Sequence, residues 1–202
     1  SGKTADIVVT FVKTGEGNRP DAFSLLILED GMEGFEHGKK LEKMGFHGWD
    51  TAELSFTDVF VPEANLIGGK EGLGFIQLMM NLPLERLSIG VAAAAAGEAA
   101  FDWTRDYVIS REAFGERVAD FQNTRFRLAD MATTVDVMWA YIDRAMELYK
   151  DQKLTAEEAA KVKFWATDRE AKLLDVGVQL HGGYGYITEY PIARAYLDAR
   201  VH

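Results

Sequence analysis

The sequence predicts an α+β chain in which strands come first and helices follow. Three observations carry that reading. Residues 5–62 alternate apolar with polar side chains, as half-buried strands do, whereas from Gly74 onward apolar residues recur at i, i+3 and i+4. Between these stretches, Glu63 to Gly74 holds four glycines (Gly68, Gly69, Gly72 and Gly74) and reads as a link. The expected division is therefore 1–70, rich in strands, and 71–202, helical.

In the first part, Ile7-Val8-Val9-Thr10-Phe11-Val12 and Phe23-Ser24-Leu25-Leu26-Ile27-Leu28 are β-branched or apolar runs. The turn-forming cluster Gly15-Glu16-Gly17-Asn18-Arg19-Pro20 between them makes a hairpin-like pair. Thr51 to Val61 alternates for eleven positions and stops at Pro62. In the second part the period predicts helices over 73–109, 121–150 and 156–180, with a fourth starting near Pro191, a residue suited to a helix N-terminus. Thr155 and Glu158 form a capping box at the start of the third. Phe121, Thr124, Leu128, Met131, Val135, Met138, Ile142, Ala145 and Leu148 make a core stripe on the second.

Composition excludes several functions. With 202 residues, 48% hydrophobic and 27% charged, the chain is long enough to bury a core. A net charge of −10 argues against nucleic acid or an anionic membrane as partner, since both require a basic face. The absence of cysteine excludes disulfides and thiolate metal sites and fits a reducing compartment. The longest uncharged run, Gly72 to Leu84, is too short and too polar to span a membrane. No charged-then-apolar leader is visible at Ser1, and a bacterial cytoplasm or the mitochondrial matrix is the expected location.

Two places can carry chemistry. Gln179-Leu180-His181-Gly182-Gly183-Tyr184-Gly185-Tyr186 sets three glycines within four positions after a long helical pattern. One glycine suffices to end a helix; a cluster also lets backbone amides approach a ligand such as a phosphate. The second place is Glu85. Between Gly72 and Gly97 only Glu85 and Arg86 are charged, and the i±3 and i±4 neighbours of Glu85 are Asn81, Leu82, Ser88 and Ile89. An apolar helix of this kind is expected to be buried, which would desolvate Glu85 and raise its pKa toward the range of a working general base. The alternative is a structural carboxylate paired with a distant cation. Pro83 either kinks the helix, joins two helices, or aims Glu85. His181 has no His, Cys or carboxylate at ligand spacing, so no metal is expected there, and His37, His47 and His202 are equally scattered.

Read in order, Leu84-Glu85-Arg86-Leu87, Arg111-Glu112-Ala113-Phe114-Gly115, Phe121-Gln122, the Gln179 to Tyr186 stretch and Glu189-Tyr190-Pro191 resemble the acyl-CoA dehydrogenase family, most closely its long-chain and isovaleryl branch. The resemblance implies the later part of an antiparallel middle β domain over 1–70. Over 71–202 it implies most of an up-down four-helix bundle. It also implies that the chain is a piece of a larger FAD-dependent enzyme. By the same resemblance Glu85 is the catalytic base that takes the α-proton of an acyl-CoA, and Arg86 contacts substrate. Arg111, Phe114, Gln122 and Gln179-Leu180-His181-Gly182-Gly183 contact the FAD of a neighbouring subunit in a homotetramer. The near-continuous alanines after Val91 either pack against other helices or leave room for an acyl tail. Electrons would pass to an electron-transfer flavoprotein. An acyl-CoA oxidase using oxygen is one alternative, and a non-catalytic helical scaffold that binds CoA is another.

Overall fold

A computed structural model describes residues 1–202 and divides them into two compact units, Ser1–Asn81 and Leu82–His202. The first unit is built from two antiparallel pairs. Strand β1 (Ile7–Lys13) pairs with β2 (Phe23–Glu29) with Val9 opposite Ile27 and Phe11 opposite Leu25. Gly17, at φ +75, makes the turn between them, and Pro20–Ala22 is a short 3-10 turn leading into β2. Phe11 and Phe23 stack at 4.9 Å between ring centroids, the kind of cross-strand aromatic contact that stabilises a hairpin.

The second pair is β3 (Phe35–Leu41) with β4 (Thr51–Phe56), interrupted by a register shift between His37 and Lys40. Strand β3 was not expected from the sequence. Its run Phe-Glu-His-Gly-Lys-Lys-Leu buries only Phe35, so it lacks the apolar alternation that marks a half-buried strand. The predicted strand over 51–61 is also shorter than its alternation suggested. Thr57 donates its amide to Gly34 O at 2.9 Å, and Asp58 takes φ +49, a left-handed conformation that ends the ladder although Val59 and Val61 continue the sequence pattern.

Helix α1 (Gly74–Ser110) runs for 37 residues with Pro83 inside it. A tight hairpin follows, β5 (Glu112–Ala113) against β6 (Glu116–Arg117), and then α2 (Gln122–Lys150), α3 (Ala156–His181) and α4 (Pro191–Asp198). These helices start and stop within a residue or so of the predicted limits, and the class is the α+β one expected. The capping box is present: Glu158 N donates to Thr155 Oγ1 at 3.1 Å and Thr155 N donates to Glu158 Oε2 at 3.1 Å. On α2 the predicted stripe is buried at Thr124, Met131, Val135, Met138, Ile142 and Ala145.

The core of the second unit lies where α1, α2 and α3 meet, around Leu87, Ala93, Ala94, Met138, Ile142, Val162 and Leu173. Close approach there depends on glycine. A Cβ at Gly90 would stand 2.7 Å from Val162 Cγ1, and one at Gly97 would stand 2.7 Å from Leu173 Cδ1. The alanines at 93 and 94 are fully buried in the same contact, so on this face the small residues serve packing. No helix is long and apolar enough to cross a membrane.

Candidate functional site

Arg111 follows the last residue of α1 directly, and Gln179-Leu180-His181 are the last residues of α3. The fold brings the two ends together around a cavity of about 480 Å³ lined by Arg111, Gln179, Leu180, His181, Gly182 and Gly183. Six of the predicted cofactor residues therefore share one site. The Arg111 guanidinium lies 5.6 Å from the Tyr184 ring centroid, a cation–π arrangement. Arg111 makes no ion pair, whereas Arg105 is paired with Asp102 and Asp106, and Arg117 with Asp120. An uncommitted guanidinium over an aromatic wall suits an anionic group such as a phosphate.

The glycines of the loop differ in what they are for. Gly182 ends α3 at φ +58, so its conformation requires glycine. Gly185 is required by space, since a Cβ there would lie 2.2 Å from Val178 O. Gly183 meets neither demand: its φ is not positive and nothing lies within 4 Å of where its Cβ would stand. Its bare backbone faces open space beside the cavity, and the packing of this chain gives no reason for glycine at that position.

His181 is 3% exposed and stacks on Tyr107 at 4.3 Å. Its Nδ1 lies 2.7 Å from Gly177 O, which sets that nitrogen as the donor. Burial pushes the imidazole below its usual pKa, so it is neutral at physiological pH. Gly177 in turn lets Ile192 and Thr104 approach, at 2.6 and 2.9 Å from a hypothetical Cβ. The side chain of His181 is thus a fixed part of the cavity wall. No three His, Cys, Asp or Glu side chains stand close enough together to hold a metal ion.

The other predicted residues lie elsewhere. Phe114 is 98% exposed at φ +55, and with Gly115 at φ +85 it forms the two-residue turn between β5 and β6. Both central residues in the left-handed region define a type I′ turn, a conformation that costs energy for a phenylalanine. Gln122 is the first residue of α2 and is exposed. Neither lines the cavity. Conversely, Tyr107, Val118 and Ile187 complete its wall and were not predicted, and Tyr184 joins them from within the glycine-rich stretch. Tyr107 had a signal in its spacing, being four residues before Arg111 on one helix face.

Glu85 corrects an expectation. It is exposed, not desolvated, and Arg86 beside it is half-buried. The apolar pattern of α1 led to the opposite view, but α2 and α3 cover only one side of the helix, the side of Leu87, Gly90, Ala94 and Gly97. Glu85 lies on the other side with Ser88, Ala92 and Ala95, all exposed. Glu85 makes no ion pair, and its main-chain oxygen accepts from Ser88 Oγ at 2.8 Å.

Comparison with known proteins identifies the family. The acyl-CoA dehydrogenase C-terminal domain matches residues 72–202. The rat mitochondrial long-chain specific acyl-CoA dehydrogenase is 43% identical over 203 residues, covering all of this chain and 47% of that protein. An acyl-CoA dehydrogenase of Bacillus subtilis strain 168 is 39% identical, covering all of this chain and 53% of that protein. The crystal structure of an acyl-CoA dehydrogenase from Geobacillus kaustophilus superposes with a TM-score of 0.95 at 43% identity, covering 99% of this chain and 53% of that one. The chain thus spans about half the length of the curated relatives it matches. The match of the domain over residues 72–202, more than half of the chain, places it in the acyl-CoA dehydrogenase family of oxidoreductases.

Proposed function

We propose that the full-length protein removes the α and β hydrogens of an acyl-CoA thioester with FAD as oxidant and passes the electrons to an electron-transfer flavoprotein. Residues 1–70 are then the later part of its middle β domain and 71–202 most of its C-terminal helical domain. The observation that carries this reading is the cavity that joins Arg111 to the main chain of Gln179–Gly183. A guanidinium in no ion pair and a bare glycine backbone fit the diphosphate of a dinucleotide, the arginine charge offsetting the helix C-termini that end here.

FAD, when bound, supplies a hydride acceptor for the β-hydrogen. Glu85 accepts the α-proton from its exposed position on α1. Arg86, half-buried next to it, contacts the substrate. Polarising the thioester carbonyl requires donors aimed at its oxygen, which by family resemblance are a main-chain amide and a hydroxyl of the flavin side chain. Phe114 and Gln122, exposed outside the cavity, serve with Arg111 and Gln179–Gly183 the flavin of a neighbouring subunit, as the family resemblance implies. A phenyl ring held at positive φ and almost fully exposed is expensive unless a partner covers it. We therefore propose a homotetramer, in a bacterial cytoplasm or the mitochondrial matrix.

The test is spectroscopic. Purified full-length protein should carry a visible flavin band that bleaches on anaerobic addition of acyl-CoA. The bleached protein should recover with electron-transfer flavoprotein and only slowly with air. Rapid recovery in air would make it an oxidase, and a colourless protein that binds CoA would make it a scaffold.

A further inference from the structure

Gln179 and Leu180 line a second hollow besides the larger cavity. This groove of about 200 Å³ adjoins the cavity through those two residues and is completed by Asn123, Arg127, Asp175 and Val176. Its polar side chains come in two pairs. Asn123 and Arg127 are four residues apart near the start of α2, and Asp175 and Gln179 are four apart near the end of α3, so each pair occupies one helix face. The two faces meet at the groove, and Val176 and Leu180 supply its apolar part.

The fold uses none of these polar groups. The side chains of Asn123, Arg127, Asp175 and Gln179 make no hydrogen bond or ion pair within the chain. Lys172, about one turn before Asp175, is bonded to Asp168 instead. Arg127 and Asp175 carry opposite charges, yet no ion pair joins them. A single exposed polar side chain is satisfied by water and implies nothing. Together the four offer donors and acceptors in one groove at zero formal charge, the complement of a neutral polar group and not of an anion.

Adenosine is such a group: its ring nitrogens accept hydrogen bonds, and its amino group and ribose hydroxyls donate them. On the function proposed above, on which this assignment rests, the protein meets two ligands that carry an adenosine diphosphate, FAD and acyl-CoA. They differ at that end in one respect, since the ribose of CoA bears a 3′-phosphate. We propose that the groove takes the adenosine of FAD and that Asp175 excludes the 3′-phosphorylated adenosine of CoA. A carboxylate that accepts from free ribose hydroxyls repels a phosphate in the same place, the choice by which an acidic side chain separates NAD from NADP. Arg127 and Asn123 donate to the adenine ring. Left alone, the Arg127 guanidinium would attract a phosphate, and the carboxylate on α3 cancels that attraction.

Competition for FAD tests the groove in full-length protein stripped of its flavin. The protein is reloaded with FAD in the presence of ADP or of adenosine 3′-phosphate 5′-diphosphate, the nucleotide half of CoA, and the retained flavin band is read. Nucleotide held at the acyl-CoA site does not register in that reading. Wild type should favour ADP as competitor at least about tenfold, because like charges brought together are costly. Asp175→Asn leaves a lone cation in the groove, and the preference should vanish or reverse. Arg127→Gln leaves a lone carboxylate; the preference should hold or grow while FAD affinity falls about tenfold, as for a lost hydrogen bond to a charged group. Both side chains are exposed, so Tm of the flavin-free protein should not change in either variant. Equal competition by the two nucleotides in wild type overturns the discrimination, as does a wild-type preference in Asp175→Asn. A preference moved the same way by both variants overturns the opposed roles of the two charges. ADP that fails to compete with FAD overturns the adenosine subsite. If full-length protein takes up no FAD, the proposed function fails and the groove with it, whereas a flavin-loaded protein indifferent to Asp175 sinks the groove alone.

Discussion

Arg111, just past the C-terminal end of α1, meets Gln179–Gly183 within this chain, whereas Glu85, toward the other end of the same helix, faces outward with nothing across from it. The first region is a wall built by the fold. Its polar atoms are oriented by helix ends, by the His181–Gly177 bond and by glycines that the backbone requires. The second is one carboxylate on a helix face that α2 and α3 leave exposed. A cofactor wall can thus be judged from its own geometry, and a base cannot, because its pKa belongs to whatever buries it.

The largest expected effect falls on the less complete region. In full-length protein Glu85→Gln should slow flavin reduction by acyl-CoA at least about 10²-fold, the lower end for a positioned general base, with FAD and acyl-CoA binding retained. Near-normal bleaching of the flavin would end that assignment. Next, Arg111→Ala removes the one uncommitted cation of the cavity. FAD affinity should fall about 10- to 100-fold, as for a lost charged hydrogen bond, and the assembly should loosen. A variant that purifies fully flavinated with an unchanged sedimentation profile contradicts the cross-subunit reading.

A pair of glycine variants separates ligand contact from folding inside the wall itself. Gly185→Ala should lower Tm by several degrees, because its Cβ would collide with Val178 O, in line with overpacking costs of about 1–3 kcal/mol. Gly183→Ala should leave Tm of the flavin-free protein unchanged and weaken FAD retention. Equal loss of Tm in both would mean that Gly183 serves the fold. On the Glu85 face, Ala92→Phe should depress activity on long thioesters more than on short ones without lowering Tm, because Ala92 is exposed there. A uniform loss across chain lengths would remove any role of this face in substrate length.

The smallest expected effect is one of pH. Burial lowers the folded-state pKa of His181, so its contribution to stability is present above the unfolded value near 6.5 and is lost as pH falls below it. The Tm advantage of wild type over His181→Phe should therefore shrink between pH 7.5 and 5. An advantage independent of pH would mean that the ring is not held neutral.

Much of the helical unit was readable because long periodic segments announce themselves: α2 and α3 carry unbroken stripes, and Thr155 with Glu158 marks a start. Strand β3 was not, since a strand that buries only Phe35 has no period to detect. The hairpin at Phe114-Gly115 was missed as structure because its first turn residue is an aromatic and not the usual Asn or Asp. The cavity was legible residue by residue along Gln179–Gly183, but Tyr107 and Ile187 join it only through tertiary packing. The burial of Glu85 was misjudged for a related reason. Composition tells that a helix is apolar all round, and only its neighbours tell which side they cover.

The close crossing at Gly90 and Gly97 also bears on how such a chain can change over generations. On that side of α1 even one added methyl collides, so drift there is restrained by foldability. On the side of Ser88, Ala92 and Ala95 no neighbour within this chain objects, and the residues are free to respond to whatever lies against them. One helix thus carries a face on which the scaffold limits substitution and a face on which no contact within this chain does.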